Sequence, residues 1–392
     1  MAAYCIILLS LATAITIMPG AGSEWSVSVT RNYFSDTTKD NGTHFSALRT
    51  GSKNKELNFS DELLRKLLQQ RKAARFLLGQ SRKKQNIEAW YFPGSSDKNA
   101  LVIGGVHGTE LSGIEVAKTL IEKLAGGIQS HYHVIIIPCL FADNASVARN
   151  NPIEIGSVAN IGRYSFSTAA DPNRQMPSPG EPFDESETID HLGREIEKEN
   201  RLLLKLINVF KPERIASIHG IRDLKYAGIY ADPRTDDRGC ALGFESDSSL
   251  AIEMAHSVYQ NNGFVPGNML HIKPTALYYK DPSPVLKGDF QPRNFSGSSL
   301  PDNRGAGISL GTWGSTAISK AKDPSMNRDA MRIITIEFPG YKRPGDYKNS
   351  KHQKWIREQV QLYASSIGNI FLGQYPIDDR GIDGIARFLT IR

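Results

Sequence analysis

The chain has 392 residues, of which 40% are hydrophobic and 22% are charged, and its 47 Lys and Arg outnumber its 41 Asp and Glu, for a net charge of +6. These proportions are typical of a soluble globular protein and exclude a disordered or collagen-like chain, and the single long apolar run excludes a polytopic membrane protein. The charge excess is smaller than a nucleic-acid-binding protein concentrates on one face, so we expect no nucleic-acid partner.

The apolar run lies at the N-terminus. Residues 1–23 contain no charged side chain, Pro19 and Gly20 end the run, and Ala21 and Ser23 are small residues at the positions that a signal peptidase inspects. The pattern predicts a signal peptide, and therefore a secreted or periplasmic protein with no stable membrane span after cleavage. A retained N-terminal anchor is the alternative, because no Lys or Arg precedes the run.

Residues 24–78 are predicted to form a polar leader followed by a basic amphipathic helix. Ser60 is a suitable N-cap, and apolar residues recur at helical spacing from there to Leu78, before Gly79. Residues 65–84 include eight basic side chains and no acidic one. This favours a solvated helix face over the alternative, a surface for an anionic polymer or lipid.

Residues 79–392 are predicted to form one domain in which strands and helices alternate. Apolar runs indicate buried strands over residues 100–106, 134–140, 214–218 and 332–338. Helical patterns cover residues 111–124, 185–210, 250–261 and 353–371. This order predicts an α/β fold, with helices on both faces of a mostly parallel sheet. The two cysteines beyond the signal peptide, Cys139 and Cys240, are too few for a disulfide scaffold.

The first candidate site lies where the strand over residues 100–106 is followed by a helix. His107 and Glu110 are three residues apart there, among glycines that let the backbone turn sharply. Ligands of open α/β sheets bind beyond the carboxyl ends of the strands, where this pair falls. Imidazole and carboxylate are ligands of catalytic zinc, so the pair predicts a zinc site, although an isolated His-x-x-Glu also occurs by chance.

Two further strand ends supply the remaining reactive groups. His219 follows the apolar strand over residues 214–218 and is the candidate third ligand. Glu337 lies within an apolar strand, where a carboxylate is costly unless it is paired or functional, and it is the candidate general base. The alternatives are a structural histidine and a glutamate bonded to neighbouring backbone. We favour function because chance rarely places two such histidines at strand ends, one with a glutamate three residues on.

Two arginines are candidates for substrate binding. Arg174 next to the amide of Asn173 suits bidentate capture of a substrate carboxylate. Arg163 suits the same carboxylate or the oxyanion that develops at a scissile carbonyl. Taken alone, each arginine is equally consistent with an ordinary surface residue.

In this order, the His-x-x-Glu, Asn-Arg, His and Glu segments resemble the zinc carboxypeptidase family over roughly residues 79–373. Within that family they are most similar to the bacterial murein tripeptide amidase branch. The similar elements are the lead-in over residues 79–89, Ser217-Ile-His219, the Asp-Pro loop at Asp232, and Gly311-Thr-Trp-Gly-Ser315. The resemblance implies a single zinc-carboxypeptidase-like domain, with a mixed, mostly parallel sheet of about eight strands.

The resemblance also implies roles for the site residues. One zinc ion would be held by His107, Glu110 and His219, and Glu337 would act first as general base and then as general acid to the leaving amine.

The same resemblance implies roles in substrate binding. Arg163 would stabilise the oxyanion, and Asn173 with Arg174 would bind the carboxylate beside the scissile bond.

The chain departs from the family pattern in several places. Digestive-type members have Asn-Pro-Asp-Gly where this chain has Asn144-Ala-Ser-Val, and Asp171 is followed by proline instead of leucine. The family's substrate-binding tyrosine has only Tyr278 and Tyr279 as candidates. Residues 274–311 are predicted to be a long insertion that covers the site.

The sequence therefore predicts a zinc-dependent peptidase or amidase that hydrolyses an amide bond beside a free carboxylate, with a peptide or muropeptide as substrate. One alternative is a small-molecule deacylase of the succinylglutamate desuccinylase or aspartoacylase type, disfavoured because those enzymes usually have Asp-x-His-x-Thr at the third ligand. The other is a non-catalytic binding protein on the same fold, disfavoured because the ligand set and Glu337 are intact.

Overall fold

A computed structural model describes much of the chain. The described residues are 57–155, 160–166, 170–238, 240, 242, 244–271, 305–340 and 349–373. The predicted signal peptide, the leader up to residue 56, Tyr278, Tyr279 and most of the predicted insertion lie outside these ranges. Within them, Cys139 and Cys240 are both free thiols.

A mixed sheet forms the centre of the described structure. Its seven strands are β1 (Ala74–Gln80), β2 (Asn86–Phe92), β3 (Asn99–Gly104), β4 (His133–Ile137), β5 (Arg214–Ile221), β6 (Gly228–Asp232) and β7 (Arg332–Pro339). They are ordered β1-β2-β4-β3-β5-β7-β6. The pairings among β4, β3, β5 and β7 are parallel, and those that add β2, β1 and β6 are antiparallel. The predicted mixed α/β sheet is confirmed, with seven described strands where about eight were expected.

Helices cover both faces of this sheet. They are α1 (Asp61–Gln70), α2 (Leu111–Ala125), α3 (Ala142–Asn150), α4 (Lys198–Phe210), α5 (Phe244–Gln260), α6 (Leu310–Gly314) and α7 (Ser350–Ser366). One π-helical turn, Ile367–Phe371, continues α7. Among the described helices, none combines the length and apolar character needed to cross a membrane.

The two faces follow from the alternation of side chains along the buried strands. Leu101 and Ile215 belong to a core cluster with Leu64 of α1 and Leu203 of α4. Ile218 points to the opposite face, where its side chain packs close to α2. Helix α7 contacts both α2 and α5, and each of the three helices contacts strands of the sheet there. Because the central strands are buried on both faces, nearly all of their residues are apolar, and these continuous apolar runs are the pattern from which the strands were predicted.

The predicted helix from Ser60 to Leu78 is wrong in its second half. Ser60 caps α1 as expected, accepting a hydrogen bond of 3.1 Å from the Leu63 amide. The helix ends at Gln70, because Arg71 adopts a left-handed conformation with φ 47°. The apolar residues that continued the helical spacing instead form β1, which extends one residue beyond the predicted domain boundary at Gly79. A short apolar run fits the spacing of a helix and that of a strand equally well, so the pairing with β2 decides that this segment is a strand.

The predicted helix over residues 185–210 is also too long. Only α4, its second half, is helical, and residues 185–197 form turns and a short antiparallel bridge between Ile189 and Glu195. The Asp190 carboxylate accepts hydrogen bonds of 2.9 Å from the backbone amides of Leu192 and Arg194. Such side-chain hydrogen bonds compete with the backbone bonds of a helix, which explains why the helical spacing of apolar residues did not give a helix there.

Candidate metal centre

The loop after β3 brings His107 and Glu110 to the end of the sheet. Gly105 turns the chain with φ +64°. Gly108 packs so tightly on α3 that a Cβ there would lie 2.4 Å from the Cβ of Asn144. Any side chain at position 108 would push the loop off α3, which explains why glycine is needed beside the histidine.

His219 and Glu337 are neighbours on adjacent parallel strands. They occupy paired positions in the register of β5 and β7. Their side chains therefore leave the sheet on the same face and at the same level. His219 is 5% exposed and Glu337 is 8% exposed.

The three predicted metal ligands converge on one point. His107 Nδ1 lies 2.8 Å from Glu110 Oε1, His219 Nδ1 lies 3.2 Å from Glu110 Oε2, and the two Nδ1 atoms are 3.3 Å apart. All three side chains are buried. Ligands of a tetrahedral zinc ion, each about 2.0–2.1 Å from it, are separated by roughly 3.3 Å. The spacing and chemistry of these donors therefore fit zinc.

The outer nitrogens of both imidazoles are engaged, which orients the rings. His107 Nε2 lies 2.8 Å from Asp171 Oδ1, and His219 Nε2 lies 3.0 Å from the Ser217 hydroxyl. An ionised carboxylate only accepts, so the Nε2–H of His107 donates to Asp171. When a metal displaces the proton on Nδ1, the ring can offer that lone pair to the cation, and a carboxylate behind a metal-binding histidine usually orients the ring in this way.

Opposite charges stabilise the buried carboxylates of this centre. Burial alone would raise the pKa of Glu110, but His107 and His219 hold it well below its usual range. Burial would likewise raise the pKa of Asp171, and His107 and Arg163 hold it low. Burial and Arg163 act to lower the pKa of His107, yet the two carboxylates outweigh them and raise it to about 9. The centre thus combines buried carboxylates and imidazoles in close contact, and a divalent cation can bind there by displacing a proton from an imidazole.

Arg163 lies against the ligand set. Its Nη1 donates to Glu110 Oε1 at 2.7 Å, and its Nη2 is 3.6 Å from Asp171 Oδ2. Asn144 positions the arginine: its amide donates to the carbonyls on either side, those of Gly162 at 3.1 Å and Tyr164 at 2.7 Å. The guanidinium is therefore at the site, and in this structure it binds carboxylates of the protein itself.

Asn173 and Arg174 lie in the short turn that Asp171 caps. The Asn173 backbone amide donates to Asp171 Oδ1 at 2.8 Å, so this one carboxylate contacts both His107 and the turn. Asn173 Oδ1 accepts from the Leu310 amide at 2.9 Å. Arg174 Nη1 donates to the Asn173 carbonyl at 2.6 Å. Both side chains are half-buried.

The structure thus brings the three predicted ligands together. It places Glu337 beside His219, and Arg163 against Glu110. The turn that contains Asn173 and Arg174 is joined to the centre through Asp171. The roles of these residues stay predictions. Sequence reasoning missed Asp171 as the partner of His107 and Asn144 as the support of Arg163. The sequence signal for each is its segment: Asp171 lies two residues before Asn173, and Asn144 begins the Asn-Ala-Ser-Val stretch already noted.

Asp171→Asn is expected to weaken zinc binding by about 10–100-fold, because the uncharged amide orients His107 less firmly. Competition with a chromogenic chelator measures the affinity. Asp143→Asn is the matched control, since Asp143 is also buried and hydrogen-bonded, to Ser81 and Lys83, without touching a ligand. Equal zinc affinities of the two variants would contradict the assignment.

Among known proteins, similarity to this chain is found only with solved structures. No protein-family model matches the chain, and no curated protein matches its sequence significantly. The chain is similar in fold to the murein-tripeptide amidase of Escherichia coli O157, with 16% identity and a TM-score of 0.37 over 74% of this chain and 91% of that one. For carboxypeptidase A of Helicoverpa armigera the identity is 12% and the TM-score 0.43, over 88% and 80% of the two chains.

A third similar structure is bovine thrombin-activatable fibrinolysis inhibitor, solved with a tick carboxypeptidase inhibitor. Its identity is 11% and its TM-score 0.38, over 80% of this chain and 98% of that one. The neighbours thus include one structure named as a carboxypeptidase and one named as a murein-tripeptide amidase. Because the similarity is this distant, we base the proposal for this chain on its own site.

Proposed function

We propose that the protein is a zinc-dependent peptidase or amidase that hydrolyses an amide bond beside a free carboxylate, in peptidoglycan stem peptides. The main support is the convergence of His107, Glu110 and His219, whose ligand atoms lie within 4.8 Å of one another beside Glu337. Two imidazoles and one carboxylate are a donor set of catalytic zinc, which leaves a position open for reactants.

Zinc bound to these three residues would supply Lewis-acid chemistry, polarising the amide carbonyl and making water more acidic. Glu337 supplies the proton transfers. Its carboxylate accepts a proton from the attacking water and then delivers that proton to the departing amine nitrogen. Its place beside His219, on the same face of the sheet, is where such a base is needed.

The arginines supply substrate contacts. Arg163, already at Glu110, would donate to the carbonyl oxygen as negative charge develops on it. Arg174 would bind the free carboxylate together with the amide nitrogen of Asn173, whose oxygen is engaged by Leu310. A substrate carboxylate bound at this turn would place the neighbouring amide at the metal centre, so the enzyme would select bonds next to a chain end.

Peptidoglycan is the proposed substrate on two grounds. The N-terminal pattern predicts export, and the net charge of +6 suits an anionic cell wall. A secreted or periplasmic location is part of the proposal. The predicted insertion, mostly outside the described residues, has no part in it.

Mass spectrometry of products tests the function. The mature protein, from residue 24, is incubated with defined muropeptides and with ordinary free peptides, and Glu337→Gln serves as control. Loss of diaminopimelate or of a terminal alanine from muropeptides, absent in the control, is the expected result. Cleavage of ordinary peptides alone would contradict the cell-wall substrate. No cleavage of either by zinc-loaded protein would contradict the peptidase.

A further inference from the structure

A cavity lies at the end of the sheet opposite the candidate metal centre. Arg214 and Arg332 are the first residues of β5 and β7, and they pair in the register of these strands. His219 and Glu337 pair five residues further along, roughly 16 Å away at about 3.3 Å per residue. The cavity that the two arginines line has a volume of about 500 Å³, which is within the usual range for small-molecule sites. None of the proposed metal ligands or substrate-binding residues lines it.

The walls of this cavity carry an excess of positive charge. Six of its described lining residues are cations: Lys98, Lys211, Arg214, Arg234, Arg328 and Arg332. Two of the described lining residues, Glu213 and Asp329, are acidic. The buried Asp247 forms ion pairs of 2.7 Å with Arg234 and 3.0 Å with Arg332. Even when Asp247 is counted with the lining residues, the cations outnumber the carboxylates by three.

Arg214 is a buried cation without a carboxylate partner. It is 3% exposed, and its Cζ lies 4.2 Å from the centre of the Tyr132 ring. Its Nη1 donates to the Phe371 carbonyl at 2.8 Å, but among the described residues its Nε has no acceptor and no carboxylate forms an ion pair with it. Burial lowers the pKa of Arg214 to about 10, and Arg332 beside it also acts to lower it. The guanidinium therefore keeps its charge at neutral pH, and an unpaired buried charge destabilises the fold.

A second guanidinium at the cavity also lacks a carboxylate. Among the described residues, Arg328 donates only to backbone carbonyls, including those of Trp313 and Thr316 at 2.9 Å each. Its Nε has no acceptor there, and burial lowers its pKa to about 10. Arg214 and Arg328 are thus not neutralised by carboxylates of the described structure. Two such groups on one cavity favour a ligand that brings negative charge with it.

We infer that this cavity is a binding site for a small soluble molecule that carries a phosphate or diphosphate group. A phosphate monoester carries about −1.5 to −2 charges at pH 7 and presents three acceptor oxygens, whereas a carboxylate carries a single charge. Guanidinium groups bind such oxyanions through paired N–H donors. A flat anionic surface would not reach Arg214, which is buried in the cavity wall, so a small molecule fits this site best. The inference does not depend on the proposed function.

Isothermal titration calorimetry with inorganic pyrophosphate tests the inference. Wild type is compared with Arg214→Gln and with Arg174→Gln, which removes a cation near the candidate metal centre instead. Wild type and Arg174→Gln are expected to bind pyrophosphate with the same dissociation constant. Arg214→Gln is expected to bind it about 10–100-fold more weakly, because a hydrogen bond from a charged donor is lost. Since pyrophosphate also binds zinc, His219→Ala is titrated as well, and it should bind like wild type.

Lys211→Gln keeps the inference testable if circular dichroism shows that Arg214→Gln does not fold. Lys211 is exposed at the cavity, and its Nζ donates to the Ser325 carbonyl at 3.0 Å. Removing this exposed charge is expected to weaken pyrophosphate binding by about 2–5-fold at low salt. Lys354→Gln is the matched control, because Lys354 is exposed on α7 and does not line the cavity. It should bind pyrophosphate like wild type.

Two results would overturn the inference. One is a wild type that binds no pyrophosphate at millimolar concentrations. The other is binding that does not depend on the cavity. In that case Lys211→Gln and folded Arg214→Gln would bind as tightly as wild type, or Arg174→Gln or His219→Ala would lose the binding, which would place the anion at the candidate metal centre.

Discussion

Glu337→Gln is expected to lower kcat by about 10²–10⁴-fold, with KM and zinc content nearly unchanged. Glutamine has the shape of glutamate, so β7 keeps its pairing with β5 and the three ligands keep their places. The amide cannot accept the proton of the attacking water or deliver one to the departing amine. The loss should therefore appear in the chemical step and not in substrate binding.

Steady-state kinetics and metal analysis of the same preparations check this. Glu358→Gln is the control, because Glu358 is an exposed residue of α7 that forms a long ion pair, 4.0 Å, with Lys354. Its kcat should equal that of wild type. A Glu337→Gln enzyme that keeps a third or more of wild-type kcat would show that another group is the base. If the variant loses its zinc, its lower kcat would result from metal loss and would not identify Glu337 as the base.

The central strands could be predicted from the sequence because they are buried on both faces. All five residues of β4 are buried, and β3 is nearly so, which gives continuous apolar runs. Strand β2 alternates between buried and less buried positions up to Tyr91 and includes Asn86 and Glu88, so its apolar run is only the four residues Ala89–Phe92. Strand β6, at the edge of the sheet, is only five residues long. Strands of this kind are specified by their pairing, which a linear pattern does not contain.

The same distinction applies to the candidate site. His107, Glu110, His219 and Glu337 could be predicted because each lies at or near a strand end, where topology brings side chains together. The contact of Asp171 with His107 joins residues 64 apart in sequence, and spacing says nothing about it. Such supporting contacts depend on how loops fold back on the sheet.

The remote contacts matter for function because Asp171 serves two parts of the site. One carboxylate oxygen lies 2.8 Å from His107 Nε2 and also accepts the Asn173 amide at 2.8 Å. Asp171 Oδ1 thus both orients His107, a proposed metal ligand, and holds the turn proposed to bind the substrate carboxylate. We expect variants of Asp171 to change KM as well as zinc affinity, because the turn loses its cap.

His219→Ala is expected to abolish both zinc binding and hydrolysis. A zinc site with three protein ligands loses most of its affinity when one is removed, and the chemistry that zinc supplies is lost with it. His219 is the informative ligand to remove, because among the described residues its outer nitrogen contacts the Ser217 hydroxyl alone. Removing His107 would instead leave Asp171 without its imidazole partner, and an unfolded variant would say nothing about the metal.

Thermal unfolding with zinc or with a chelator separates metal loss from misfolding. At a free zinc concentration 1,000 times the dissociation constant, binding stabilises wild type by about 4 kcal/mol. His219→Ala should lose this stabilisation and unfold like chelated wild type. His133→Ala is the matched control: His133 is as deeply buried, bonded to the Tyr91 hydroxyl at 2.8 Å, and lies at the opposite end of β4 from the site. It should unfold at a lower temperature yet keep the full response to zinc, and a His219→Ala protein that keeps this response would place the metal elsewhere.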